Sequence, residues 1–192
     1  MNDGAATRRR ITEAAAAEFA AYGIAGARVD RISANAKANK AQLYAYFGNK
    51  DALFELVFSE LAGNLTSAVP FTADDLPGYA GRLFDLCLDA PEIVRLATWA
   101  RLERKPIGEF SEAMRDDTEE KLRLIAAAQA DGLVKPGIDP EDVLAMVMAA
   151  ALAWSPGSLF YAATRDDPAE DNARRRQAVV DMVRAALSVD AP

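Results

Sequence analysis

Apolar and polar positions alternate along this chain with the period of a helix almost throughout. In TRRRITEAAAAEFAAYG (residues 7–23), Ile11, Ala15, Phe19 and Tyr22 recur at steps of four, four and three, which predicts one apolar helical face. Thr7 stands where an N-cap belongs and Gly23 where a helix ends in a left-handed residue. A shorter helix is expected from Val29 to Ala36, with Val29, Ile32 and Ala36 on one side. After a tight turn a third helix opens in KANKAQLYAYFGNK (residues 37–50). Asn39 caps it, Gln42 completes a capping box three residues on, Leu43 and Phe47 face inward one turn apart, and Gly48 ends it.

The rest of the chain reads as further helices. One runs from Asp51 to near Val69, and another from Leu76 to Ala90 with Tyr79, Leu83, Leu86 and Cys87 inward. A third runs from Glu92 and stops before Pro106. Residues 111–131 form an amphipathic helix with Leu122, Ile125 and Ala126 inside and Gly132 as its stop. Asp139-Pro140 and Asp167-Pro168 each pair a capping residue with a proline suited to the first helical position. VLAMVMAAALAW (143–154) is apolar on every side, so a helix there has to be covered all round. The expected fold class is all-α.

Charge changes the picture more than composition does. The 192 residues carry a formal charge of −7, yet residues 1–50 hold eight Lys/Arg against four Asp/Glu, and the remaining 142 hold fourteen against twenty-five. A basic front of net +4 therefore sits on an acidic body of net −11, a distribution suited to phosphate because the local field does the attracting. There is no histidine, which removes the commonest general base and transition-metal ligand. The lone Cys87 excludes an intramolecular disulfide and fits a reducing compartment. The twelve-residue apolar run is shorter than the roughly 18 residues a bilayer span needs, and Glu13 and Glu18 interrupt any signal-peptide core. A cytoplasmic protein with no membrane segment, no metal and no cofactor is expected.

Two short helices joined tightly, the second with an apolar back and an acid-free front, are the parts of a helix-turn-helix reader. The stretch VDRISANAKANKAQLYAYFGNKDALFELV (29–57) resembles the N-terminal signature of the TetR family of transcriptional regulators. The resemblance lies in Ile32 and Ala36, in Leu43-Tyr44-x-Tyr46-Phe47, and in Lys50 followed by Leu53, with Phe19 and Gly23 at matching spacing before them. Four residues depart from that pattern. Lys37 stands where the family usually has glycine, Ala38 where it has a larger aliphatic residue, and Ala27-Arg28 where Ser or Thr is common.

On the reader, Lys40, Ala41 and Gln42 occupy the exposed first turn, where Lys suits guanine O6/N7, Gln suits adenine and Ala suits a thymine methyl. Asn39 caps that turn. Arg28, Arg31, Lys37 and Lys50 are expected on phosphate, and by position in the family so are the hydroxyls of Tyr44 and Tyr46, with packing against the first helix as the alternative for Tyr46. The expected division is a DNA-binding domain over residues 1–50 and a helical ligand-binding and dimerisation domain over 51–192.

The resemblance further implies a small-molecule pocket, for which Phe84, Cys87, Leu88, Trp99, Leu102, Met114, Met146, Met148, Trp154 and Phe160 are the candidates. It also implies a two-fold homodimer made by the last two long helices, with Val147, Ala151, Val179, Val180, Val183 and Leu187 as candidate interface residues. The function so implied is a repressor, not an enzyme, released from a palindromic double-stranded operator by an apolar or aromatic effector. The alternatives are a small helical enzyme or a dimerising adaptor that keeps a helix-turn-helix-like front. Arg174–Arg176 lie beside several acids, which points to local ion pairs on a solvated helix.

Overall fold

The structure, a computed structural model, describes residues 3–104, 107–108 and 112–189, with backbone alone at 3, 62, 64–68, 112 and 113. Among the described residues the chain forms nine α-helices: α1 (Asp3–Gly26), α2 (Val29–Asn35), α3 (Lys40–Phe47), α4 (Lys50–Ala68), α5 (Leu76–Asp89), α6 (Pro91–Glu103), α7 (Glu112–Ala130), α8 (Pro140–Ala151) and α9 (Ala169–Leu187). One isolated antiparallel bridge, Val134 to Ser188, is the β pairing among them. The helix expected to stop before Pro106 does so, α6 ending at Glu103. No described helix is long and apolar enough to cross a membrane.

The chain divides into two compact units, residues 1–64 with 92–108 and residues 65–91 with 109–192. The expected boundary after residue 50 is therefore not where compaction stops. The first turns of α4 bring Leu53, Phe54 and Val57 into the core of the first unit, and α6 adds Leu96 and Ala100. Ile11, Ala15 and Phe19 are completely buried, and Phe19 meets Phe54 edge to face at 5.2 Å. Each such phenylalanine contributes roughly 1.5–3 kcal/mol by leaving water.

Two local expectations at α1 change. The helix begins four residues before Thr7, so Thr7 is not its cap; it is buried and accepts from Arg10 Nη2 at 2.9 Å. Tyr22 points outward with the Arg31 guanidinium 4.2 Å above its ring, and Ile24 takes the inward place. Gly23 accounts for the place of Ile24, though not for that of Tyr22, which precedes it. The φ of 72° and ψ of 177° at Gly23 break the helix, shifting the residues after it onto a new face.

In the second unit α5 packs on α9 and α8, while α8 also packs on α7 and α9. Asp75 caps α5 by accepting from Gly78 N–H at 2.9 Å, and Asp139 caps α8 by accepting from Glu141 N–H at 2.9 Å. Asp167 does not repeat that role. Its carboxylate is drawn away by Arg175 (2.5 Å), Tyr161 Oη (3.0 Å) and Thr164 Oγ1 (3.3 Å), and Pro168 precedes α9 without a side-chain cap. On α7, Ile125 is buried as expected, but Ala128 is inside and Ala126 outside. The three consecutive arginines of α9 are ion-paired: Arg174 with Asp171, Arg175 with Asp167 and Arg176 with Asp85.

Candidate nucleic-acid interface

The reader helix α3 is held in place from both ends and from behind. Asn39 Oδ1 accepts from Gln42 N–H at 2.8 Å and Gln42 Oε1 accepts from Asn39 N–H at 3.0 Å, the complete capping box. Leu43 and Phe47 are buried, and Gly48 (φ 77°) closes the last turn. Lys40, Ala41, Gln42, Tyr44 and Tyr46 are all exposed on the opposite side. The capping box has a chemical consequence. Held by its carbonyl oxygen on Asn39 N–H, the Gln42 side chain has a structural task that competes with the donor-plus-acceptor pair adenine asks for.

The turn before α3 runs through Lys37 at φ 50°, a left-handed residue with a side chain where the resembling family has glycine. Lys37 is exposed, and so is Arg28. Tyr46 leans toward α1, where a Cβ on Gly4 would come within 3.2 Å of its hydroxyl.

Two expected phosphate contacts are engaged elsewhere. Glu18 is buried on α1, and its Oε1 accepts from Arg28 N–H at 2.8 Å and from Arg31 Nε at 2.8 Å, with Arg31 Nη2 at 2.5 Å. Arg31 also donates to Gly26 O at 3.0 Å, and its bond to Glu18 raises its pKa above the arginine value. Arg31 thus secures the start of α2 and has little left for DNA. Lys50 donates to Ile24 O at 2.7 Å and to Ala27 O at 3.2 Å, closing carbonyls that the broken helix leaves without partners. Neither role is visible along the sequence, because both partners lie at least ten residues away. A lone acid on the otherwise apolar side of α1 was the available sign for Glu18.

Lys40 is also paired. Its Nζ lies 2.5 Å from Asp30 Oδ1, in the first turn of α2, and the bond to Asp30 raises the Lys40 pKa above the usual lysine value. The acid-free front of residues 37–50 therefore has one carboxylate beside it, contributed from ten residues upstream.

The same first unit contains α6, and three of its residues, one turn apart, meet the end of α1. Arg95 Nε donates to Ala20 O at 2.9 Å, the Trp99 ring lies against Gly23, and the Glu103 carboxylate accepts from Ile24 N–H (3.2 Å) and Ala25 N–H (2.8 Å). Arg104 pairs with Asp51 at the start of α4. Trp99 thus packs against the end of α1 within the first unit, and Leu102 on the same helix is exposed.

The other ligand candidates disperse. Phe84 and Leu88 line a cavity of about 320 Å³ in the second unit, whose remaining walls include Asp85, Arg165, Asp167 and Arg176. Trp154 stands edge-on to Phe84 at 6.3 Å, and Cys87 is buried with its thiol pushed up to about 11 by that burial. Met114 is half-buried on α7. Met146 and Met148 are exposed on the outward side of α8, and Phe160 is 93% exposed because α8 ends at Ala151 and the chain leaves the core in the Ser155-Pro156-Gly157 turn.

The candidate interface residues Val147, Ala151, Val179, Val180, Val183 and Leu187 are at most 7% exposed within the single chain. They face its own core. The outward apolar face of the same two helices is a groove whose rim and walls include Met146, Ala149, Ala153, Met182 and Ala186. Periodicity could not separate these faces on a helix that is apolar all round.

Among the described residues no cluster of His, Cys, Asp and Glu could hold a metal ion. Residues 11–57 match the family model described as bacterial regulatory proteins, tetR family, and residues 75–185 match that of the tetracyclin repressor-like C-terminal domain. The chain is 41% identical over 150 residues to the HTH-type transcriptional repressor SCO4008 of Streptomyces coelicolor, covering 78% of each. It is 30% identical over 143 residues to the HTH-type transcriptional repressor NicS of Pseudomonas putida, covering 69% of this chain and 68% of that protein. The crystal structure of SCO4942 from Streptomyces coelicolor superposes with a TM-score of 0.79 at 37% identity, covering 93% of this chain and 97% of the other.

Proposed function

The chain belongs to the TetR family of bacterial transcriptional regulators, and from that premise we propose that it is a homodimeric repressor of a near-palindromic operator, released by a small molecule bound in its second unit. One observation carries the reading. The front of α3 presents Lys40, Ala41, the Gln42 amide and Tyr44 on a helix whose back is buried and whose first turn is capped. Arg28, Lys37, Tyr44 and Tyr46 are the groups left to bind phosphate and set the register. Lys50 and Arg31 support the reader from inside.

The dimer forms through the outward groove of α8 and α9, where Met146, Ala149, Met182 and Ala186 leave an apolar surface that a second copy would cover. Two reader helices related by a two-fold axis would meet half-sites about 34–36 Å apart. The effector reading is also refined. A cavity walled by Phe84 and Leu88 on one side and by Asp85, Arg165 and Arg176 on the other suits a molecule with an apolar body and a polar or charged group.

Release follows from chain connectivity. Only Ala90 separates α5, which lines the cavity, from α6, whose Arg95, Trp99 and Glu103 hold the end of α1. A ligand that prefers one setting of α5 biases α6 and with it the reader, by as much as its affinities for the two states differ.

The test is selection of the purified protein against a random duplex library at low and near-physiological salt. Enrichment of a palindrome with arms one helical turn apart is expected. Recovery of no motif at either salt would refute sequence-specific binding.

A further inference from the structure

The Lys40–Asp30 pair has no evident place in the stability of the fold. Its side chains are 58% and 69% exposed, and an ion pair so open to water contributes little. Nor does its setting favour a free lysine: Lys40 is the first residue of α3, at the positive end of the helix. An unpaired lysine there is a flexible point charge beside a polyanion, and phosphate oxygens, which carry no sequence information, are its nearest targets.

Asp30 itself is anchored. It lies in the first turn of α2, where an acid is favoured, and the same turn is fixed by Glu18 through Arg28 N–H and the Arg31 guanidinium. Its backbone is thereby fixed, and its short side chain keeps the carboxylate close to that fixed point, where the longer, mobile lysine can be tied. The neighbours on the first turn narrow the choice of reader. Ala41 has no donor, and the Gln42 carbonyl oxygen is already engaged in the capping box. Lys40 has three hydrogens. One goes to Asp30, leaving two for a base edge that presents paired acceptors, as guanine does with O6 and N7.

We propose that Asp30 is a specificity-determining positioning residue: it holds the Lys40 ammonium at one place on the reader surface, so that Lys40 donates to a guanine edge in each half-site instead of moving to phosphate. The proposal rests on the DNA-reading role of α3 argued above. As a neutral pair, Asp30 and Lys40 add no net attraction to DNA, and an unpaired Asp30 would repel it. Asp30 thus lowers affinity for every sequence in which Lys40 finds no base acceptor.

The experiment compares full-length wild type with Asp30→Asn, Lys40→Ala and the double variant in the same library selection. Salt titrations on the recovered operator and on a scrambled duplex follow. Asp30→Asn is expected to keep the palindrome but to lose about tenfold in preference for guanine at one symmetric pair of positions. It should bind the scrambled duplex more tightly, with a log–log salt slope steeper by about one per protomer, since the released Lys40 now meets phosphate. Lys40→Ala should flatten the same positions, and the double variant should match its base preferences while binding every sequence more tightly, because the unpaired Asp30 charge is gone. If Asp30→Asn raises affinity for all sequences alike and leaves every base preference intact, Asp30 merely repels phosphate and the proposal is wrong. Flattening at positions that Lys40→Ala leaves untouched would overturn it too. Absence of any motif from the wild type would overturn both the proposal and the reading beneath it.

Discussion

Lys37 shows at a single residue how the turn between α2 and α3 is bought. Its φ of 50° is one that glycine adopts freely and a side chain resists by about 1–2 kcal/mol. Lys37→Gly should relieve that strain, less the extra entropy glycine loses on folding, and raise stability by about 0.5–1 kcal/mol, or roughly 2 °C in thermal unfolding. The same change removes an exposed cation from the proposed DNA face. Its operator binding should therefore weaken, with a salt slope shallower by about one per protomer. Stability and binding moving in opposite directions is the expected signature. A lower melting midpoint would mean that the lysine makes a compensating contact.

At the scale of elements, the break in α1 and the strip on α6 explain each other. Gly23 adopts φ 72°, ψ 177°, a region essentially reserved for glycine, and a Cβ there would lie 2.8 Å from Glu103 Oε1 and 3.0 Å from the Trp99 ring. Beyond the break, Glu103 takes the N–H groups of Ile24 and Ala25 while Lys50 takes the carbonyls of Ile24 and Ala27. One turn of chain is thus bound by an acid at its start and a base at its end, each where the helix dipole favours it. Gly23→Ala should destabilise by roughly 2–4 kcal/mol through strain and overpacking together. Glu103→Ala should cost about 1–2 kcal/mol, since Ala25 can turn to water. Urea unfolding followed by circular dichroism would check both, and an unchanged midpoint for Gly23→Ala would contradict the geometry.

For the whole molecule the decisive surface is the groove between α8 and α9. If a second copy covers it, glutamate at Ala149 and Met182 would bury four unpaired charges across the two-fold interface, each costing on the order of several kcal/mol. The double variant should sediment as a folded monomer and lose at least a hundredfold in operator affinity, because its two half-sites no longer act together. A dimer that persists would place the interface elsewhere.

What the sequence determined alone is everything set by neighbours three or four residues apart. The helices, the Asn39–Gln42 box, the Asp139-Pro140 start and the buried Ile11, Ala15, Phe19, Leu43 and Phe47 were all legible, because each depends on a local repeat. The tertiary structure decided which polar groups are used on one another and which face of an all-apolar helix turns inward. Lys50, Arg31 and Lys40 look alike along the chain, yet one closes broken carbonyls, one joins a buried carboxylate and one is tied to Asp30 on the surface. Trp99 packs against Gly23, and the valines of α8 and α9 turned to their own core while methionines stayed outside. Those outcomes depend on partners brought together by folding across ten to eighty residues, a distance over which no periodicity carries information.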